Sequence, residues 1–254
     1  MALFGRKNKM KDSLKNTPDT PEHEQPDEGA ALRGAEVVVP TVGTTYDPVG
    51  GDFGPFDGDQ VDFRAFDFSD FAKGGLDLGS MLVPVPHDGE VQVAMGENGP
   101  QMIHIHTPAG RMTPVAFAAP RRGNLWEESM PEVIQGMVKD GLTVTQEQGP
   151  WGEEIVAEAG GGTMRVIGVQ GHRWMMRMTL ASTNDKADQL AAQAREVLAR
   201  SFVYRGQDPI PAGNVLPVTI PQAMAEALRQ QMEQRAQQAS AVQQPHNFND
   251  GAVD

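Results

Sequence analysis

The chain has 254 residues, a formal net charge of −13, 39% hydrophobic residues and no cysteine. The acidic balance argues against a nucleic-acid-binding body, which needs a basic face, and the lack of cysteine excludes disulfides, thiolate metal sites and cysteine nucleophiles. The early cations are followed by no apolar h-region, so no secretory signal is expected. No stretch reaches the apolar length that spans a bilayer, and a cytoplasmic location is expected.

Charge is laid down in blocks. Residues 1–15 carry a net +4, residues 16–77 a net −11 and residues 78–254 a net −6. Blocks of this kind mark tails and interaction arms rather than cores. Residues 1–35 read as a disordered tail, basic and then acidic, because Pro, Glu, Asp and Gln offer too little apolar surface to offset the entropy of ordering. The basic tip, with Leu3 and Phe4 as its large apolar side chains before Arg6, Lys7 and Lys9, suits weak, salt-sensitive peripheral contact of residues 1–15 with a membrane. Residues 36–77 read as an acidic, Phe-rich arm opening with a short strand at Val37-Val38-Val39. Six of the ten phenylalanines fall between Phe53 and Phe71, interleaved with aspartates. So much aromatic surface is not left in water by soluble monomers. The arm is therefore expected to lie across a surface with its rings buried and its carboxylates outward.

Residues 78–206 carry the regular pattern of a folded domain. Leu78–Val85 reads as a strand broken by Pro84 and Pro86. Glu90–Met95, Gln101–Thr107 and Arg111–Ala118 alternate and are joined by short turns, a meander. Asn124 caps a predicted helix whose stripe is Trp126, Met130, Val133, Ile134, Met137 and Val138, with Gly141 as its stop and Pro131 near its first turn. Strands resume at Leu142–Gln146, Glu153–Glu158, Thr163–Gln170 and Arg173–Ala181. A second helix after Asn184 presents Leu190, Ala194, Val197 and Leu198, and Phe202-Val203-Tyr204 is a last short strand. Residues 207–221 form an extended Pro-rich crossing, and 222–254 a Gln/Ala-rich helix with a polar tail. The sum is an α+β fold: an antiparallel sheet of about seven to eight strands with two packed helices.

Chemistry-bearing patterns are sparse. His104 and His106 point to one face of a strand as two metal ligands would, but a third ligand is missing. Asp57-Gly58-Asp59 fails the EF-hand spacing, with Val61 and Phe68 where ligands belong. Gly160-Gly161-Gly162 joins two antiparallel strands and reads as a hairpin tip rather than a phosphate loop. No nucleophile elbow, H-E-x-x-H or S-x-x-K occurs. No metal, cofactor or catalytic residue is assigned. The cluster Arg121, Arg122, Arg173 and Arg177 is the one candidate ligand- or partner-binding group. Arg173 and Arg177 are expected on one strand face, able to hold a carboxylate or phosphate or to pair with the acidic arm.

Several strings carry a resemblance: MALFGRK at the start, GPFDGDQVD at 54–62, LDLGSMLVPVP at 76–86, AFAAPRRGNLWEE at 116–128, GPWGEEI at 149–155, GVQGHRWMMRM at 168–178 and VYRGQDPIPAGNVLPVTIP at 203–221. In this order and spacing they resemble an actinobacterial family of uncharacterised proteins, domain of unknown function thirty-seven ten. The resemblance implies a bacterial, intracellular setting and brings no activity or site residues. The strand–helix pattern also looks like the build of Mog1/PsbP-type proteins, which are binding modules, an analogy at fold level. The expectation is a non-enzymatic binding or adaptor module with a protein partner. The alternatives are a hydrolase or ligand-processing enzyme with a site assembled across strands, and a membrane or nucleoid factor acting through the basic tip.

Overall fold

The computed structural model describes residues 37, 39–96, 99–222, 224–227 and 230, all within the unit Leu32–Asp254. The expected tail at 1–35 and most of the Gln/Ala-rich helix lie outside the described residues. No described helix is long and apolar enough to cross a membrane.

Two sheets organise the fold. The larger has seven strands, all neighbours antiparallel: β4 (Glu90–Gly96), β5 (Gly99–Thr107), β6 (Gly110–Ala118), β7 (Thr143–Gly149), β8 (Gly152–Ala159), β9 (Gly162–Gln170) and β10 (Trp174–Thr183). Their order is β4-β5-β6-β10-β9-β8-β7. The smaller sheet, in the order β1-β11-β3-β2, contains β1 (Phe56–Asp57), β2 (Ala72–Asp77), β3 (Met81–Pro86) and β11 (Phe202–Val203). The expected meander is present. The strand count exceeds the expectation because the arm supplies two strands itself: β1 pairs in parallel with β11, and β2 antiparallel with β3. Val37 is buried but lies in no strand. Pro84 sits inside β3 instead of breaking it, and Pro86 is its last residue.

Alternation assigns the faces of the large sheet. Trp174, Met176, Met178 and Leu180 point to one side with Ala116, Ile167 and Val169, where α2 (Ala187–Ala199) delivers Leu190, Ala194, Val197 and Leu198. The inner face of the small sheet, with Leu76, Val83, Val85 and Val203, closes the same core. The other side takes α1 (Leu125–Lys139), whose Trp126 and Met130 pack on Ile155, Val166 and Met175. Asn124 caps α1 as expected, its side-chain oxygen accepting from the amides of Trp126 at 3.1 Å and Glu127 at 3.3 Å. Pro131 falls in the middle of α1, not in its first turn, on an exposed side. Gly168 is the close-packing glycine of this face: a Cβ there would overlap the Trp126 indole.

One charged network is interior. Glu154 of β8, 1% exposed, accepts from Arg165 of β9 at 2.8 Å and from Arg195 of α2 at 2.7 Å, and Arg165 also donates to Glu147 at 2.7 Å. Such a group is costly to break from one side, because the remaining charge is left buried without its partner. It ties α2 to the β7–β9 end of the sheet.

Trp126 is 2% and Trp174 0% exposed, and the Trp126 Nε1–H donates to the Glu153 carbonyl at 2.8 Å. Each Trp→Ala substitution is expected to cost about 3–5 kcal/mol in equilibrium denaturant unfolding. Near-wild-type midpoints for both variants would contradict this packing.

Candidate functional site

The arm is folded onto the domain, and it walls one side of a cavity. Its backbone runs beside α2 and β11: the amide of Gly54 donates to the Ala199 carbonyl at 2.7 Å, Phe56 to Ser201 at 2.8 Å and Gly58 to Val203 at 2.9 Å. Phe56 and Phe202 are fully buried, and Phe202 lies within aromatic contact of Phe56, Phe63, Phe66 and Phe68 at centroid distances of 5.1, 6.4, 5.5 and 6.3 Å. The arm is also held from the β7–β8 turn, where the Trp151 Nε1–H donates to the Gly54 carbonyl at 3.1 Å.

Aspartates turn this segment. Asp62 caps a short 3-10 turn (Phe63–Ala65) by accepting from the Arg64 amide, and Asp67 accepts from the Ser69 amide at 2.9 Å. That backbone hydrogen bond, followed by the Ser69 hydroxyl, holds the Asp67 carboxyl below its ordinary value. Buried Asp57 accepts from the Asp59 amide at 3.2 Å and from the Gln60 side chain at 3.0 Å, while Asp59 accepts from the Gly206 amide at 2.8 Å. The Asp57-Gly58-Asp59 carboxylates thus serve the chain's own turns. Among the described residues no three metal-ligating side chains gather.

Between the arm and the outer face of the small sheet lies a cavity of about 460 Å³. Phe63, Phe66 and Phe68 come from the arm, Leu82 and Pro84 from β3, and Phe202 and Tyr204 from β11 and its extension. Lys73, Gly74, Gly75 and Asp77 of β2 form one margin. Arg200, which follows α2, lies among the lining residues: its guanidinium is 4.6 Å from the Phe71 ring centroid, pairs with Glu196 and donates to the Glu196 carbonyl at 3.2 Å. Its buried Nε–H has no hydrogen-bond partner. The chemistry of this space is apolar and aromatic, with charge confined to the margins.

The arginine cluster lies elsewhere. Arg177 stands on the α1 side of the large sheet with its guanidinium 4.9 Å from the Phe117 centroid, and burial pushes it below its ordinary value. Arg173 is not its face-mate: it precedes β10 in a left-handed conformation with φ 63°. Arg121 and Arg122 are exposed in the turn before α1. None of the four lines the cavity or pairs with a described carboxylate. His104 and His106 share a face with centroids 6.2 Å apart, and His104 Nδ1 lies 2.8 Å from the Thr113 hydroxyl. Burial, then Arg111 and His106, lowers the His104 pKa. Reasoning from the sequence placed the arm's rings but missed Phe202, Tyr204, Gly75 and Arg200 as cavity residues. The signals were the aromatic pair two apart at Phe202 and Tyr204 and the Gly74-Gly75 pair between Lys73 and Leu76.

The fold and cavity define an α+β protein whose small accessory sheet, dressed by an aromatic arm, holds an apolar pocket. The chain belongs to the family described as Protein of unknown function (DUF3710), matched over residues 54–227, so the match begins inside the arm and takes in the rings that wall the cavity. No curated protein matches the chain. Among solved structures it is similar to a protein from Bacteroides thetaiotaomicron, at 12% identity and TM-score 0.38 over 62% of this chain, and it spans 57% of that protein's length. A second similarity is to LpqN of Mycobacterium tuberculosis, described as involved in cell envelope biogenesis, at 16% identity and TM-score 0.26 over 49% of this chain and 83% of that one.

The two tyrosines report on the arm. Tyr46, whose hydroxyl donates to the Pro55 carbonyl, is pushed well above its ordinary 10.0 chiefly by burial and then by Asp57 and Asp47. Tyr204 is raised by burial and by Asp77 and Asp62. A raised tyrosine pKa contributes stability that is full below the unfolded-chain value near 10 and is lost as pH climbs from there toward the folded value. An absorbance titration should therefore show both tyrosines ionising above their ordinary value in the folded protein, with Tyr46 the more strongly shifted and ionising as the arm loosens at alkaline pH. Two tyrosines titrating reversibly at their ordinary value would contradict this site.

Proposed function

We propose that the protein is a non-enzymatic binding module that receives a large apolar group in the cavity between the Phe-rich arm and the small sheet. The observation that carries this reading is the lining: four phenylalanines, a tyrosine, Leu82 and Pro84 around about 460 Å³, a volume suited to a side chain or a small ligand. The charged lining groups are Lys73, Asp77 and Arg200, and no histidine or cysteine is among the described lining residues, which favours binding over the alternative of a hydrolase. The partner in this reading is a protein, as the acidic, Phe-rich arm suggests, and the setting is cytoplasmic, in keeping with the intracellular setting that the family resemblance implies.

Gly75 offers a clean way to close the cavity. A Cβ added there meets Leu82 Cδ1, the end of a flexible side chain, at 3.0 Å, so Leu82 must give by a few tenths of an ångström to admit a side chain that projects toward the cavity. The neutral dye Nile red should bind the wild-type protein at one site with enhanced, blue-shifted fluorescence, and Gly75→Trp should abolish that site in a variant that still unfolds cooperatively. No enhancement with wild type, or equal enhancement with the variant, would refute the reading.

A further inference from the structure

The cavity borders a free sheet edge. β2 closes one side of the small sheet and pairs with β3 alone. The backbone groups of residues 73–77 on its other side meet no described partner. Open edges are normally guarded by charge, proline or a bulge, because they template the addition of another strand. Here Lys73 and the irregularity between Ala72 and Gly74 guard one end, but Gly74 and Gly75 follow, exposed and without side chains. On the outer face Gly75 lies opposite Pro84 and Asp77 opposite Leu82, and all four residues line the cavity. A strand laid along β2 would extend this sheet, and its residue beside Gly75 would direct a side chain into the aromatic space.

Charge selects the occupant. Of the charged groups that line the cavity, Lys73 and Asp77 stand exposed on β2 and Arg200 is paired with Glu196. The arm beside the cavity adds exposed Asp62, Asp67 and Asp70 against Arg64. The short-range hydrogen bonds that keep Asp67 ionised also hold its carboxylate on the outside of the arm. This excess of carboxylates next to an apolar hole favours a segment carrying cations on either side of its anchor.

We propose that the free edge of β2 binds an extended basic peptide by β-strand addition, with one aromatic side chain of the peptide seated in the cavity. This rests on the apolar-pocket reading above and adds the class of partner. Main-chain hydrogen bonds to residues 73–77 supply affinity in this arrangement, the ring supplies the anchor, and flanking lysines meet the aspartates.

The test uses the full chain and a capped heptapeptide, Lys-Thr-Val-Phe-Val-Thr-Lys, acetylated and amidated, measured by isothermal titration calorimetry. Two N-methylated isomers are compared, each blocking one set of alternate amides, since only one set faces β2 in a paired strand. One isomer should bind like the parent, and the other should weaken by about tenfold or more through loss of two backbone hydrogen bonds. Replacing both lysines by glutamate should weaken binding at low salt, and Gly75→Trp should remove it. Isomers of equal affinity, indifference to the lysine replacement, or absence of binding by the parent would each overturn strand addition. If Nile red still binds in those cases the pocket reading survives alone; if it does not, both fall.

Discussion

Phe202 is the residue on which the functional end of this molecule depends. It sits in a two-residue strand right after α2, with no exposed surface, and four arm rings pack around it. A fully buried phenylalanine contributes about 1.5–3 kcal/mol through removal of its surface from water, and aromatic pairs add some ~0.5–1.5 kcal/mol beyond area. Those contributions explain how a segment so rich in aspartate folds at all. The carboxylates remain at the surface or cap local amides, Phe56, Phe63, Phe66 and Phe68 gather at Phe202, Phe53 meets Trp151, and Phe71 packs against the main core.

The placement of Phe202 is in turn set by the main core. α2 lies between the two sheets, with Leu190, Ala194, Val197 and Leu198 in the core shared by β10 and the inner face of the small sheet. Val203 points into that core, so by alternation Phe202 points out of it, toward the arm. The glutamate–arginine network at Glu154 fixes α2 to the far end of the large sheet. Scaffold and cavity are thus separate layers: the large sheet and its helices form the main core, and the small sheet with its arm encloses the apolar space.

Much of this was legible in the sequence where periodicity is local. The alternation of Trp174, Met176 and Met178 against Met175 and Arg177 identified both faces of β10, and Asn124, Glu127 and Glu128 marked the start of α1. The density of phenylalanine between Phe53 and Phe71 indicated burial of the arm. Long-range pairing was not legible. Nothing local shows that Phe56 lies beside Phe202, because that register depends on contacts between segments more than a hundred residues apart. β2 and β3 form a local hairpin, but Lys73, Gly74 and Gly75 give β2 no alternating apolar pattern to read. The expected sharing of one strand face by Arg173 and Arg177 failed for a local reason. Residue spacing placed Arg173 beside Arg177, while the tight turn before Trp174 puts Arg173 in a left-handed conformation outside the strand.

Docking of the arm through Phe202 is the central claim, and hydrogen exchange of the isolated full chain tests it most directly. The amides of Gly54, Phe56, Gly58, Val61, Phe71 and Ala72 donate to backbone carbonyls, so peptides covering 53–72 should exchange slowly in the wild-type protein. In Phe202→Ala those peptides should exchange fast, while β8, β9 and β10 keep their protection. Rapid exchange across the arm in the wild type, or an arm equally protected in Phe202→Ala, would contradict the account.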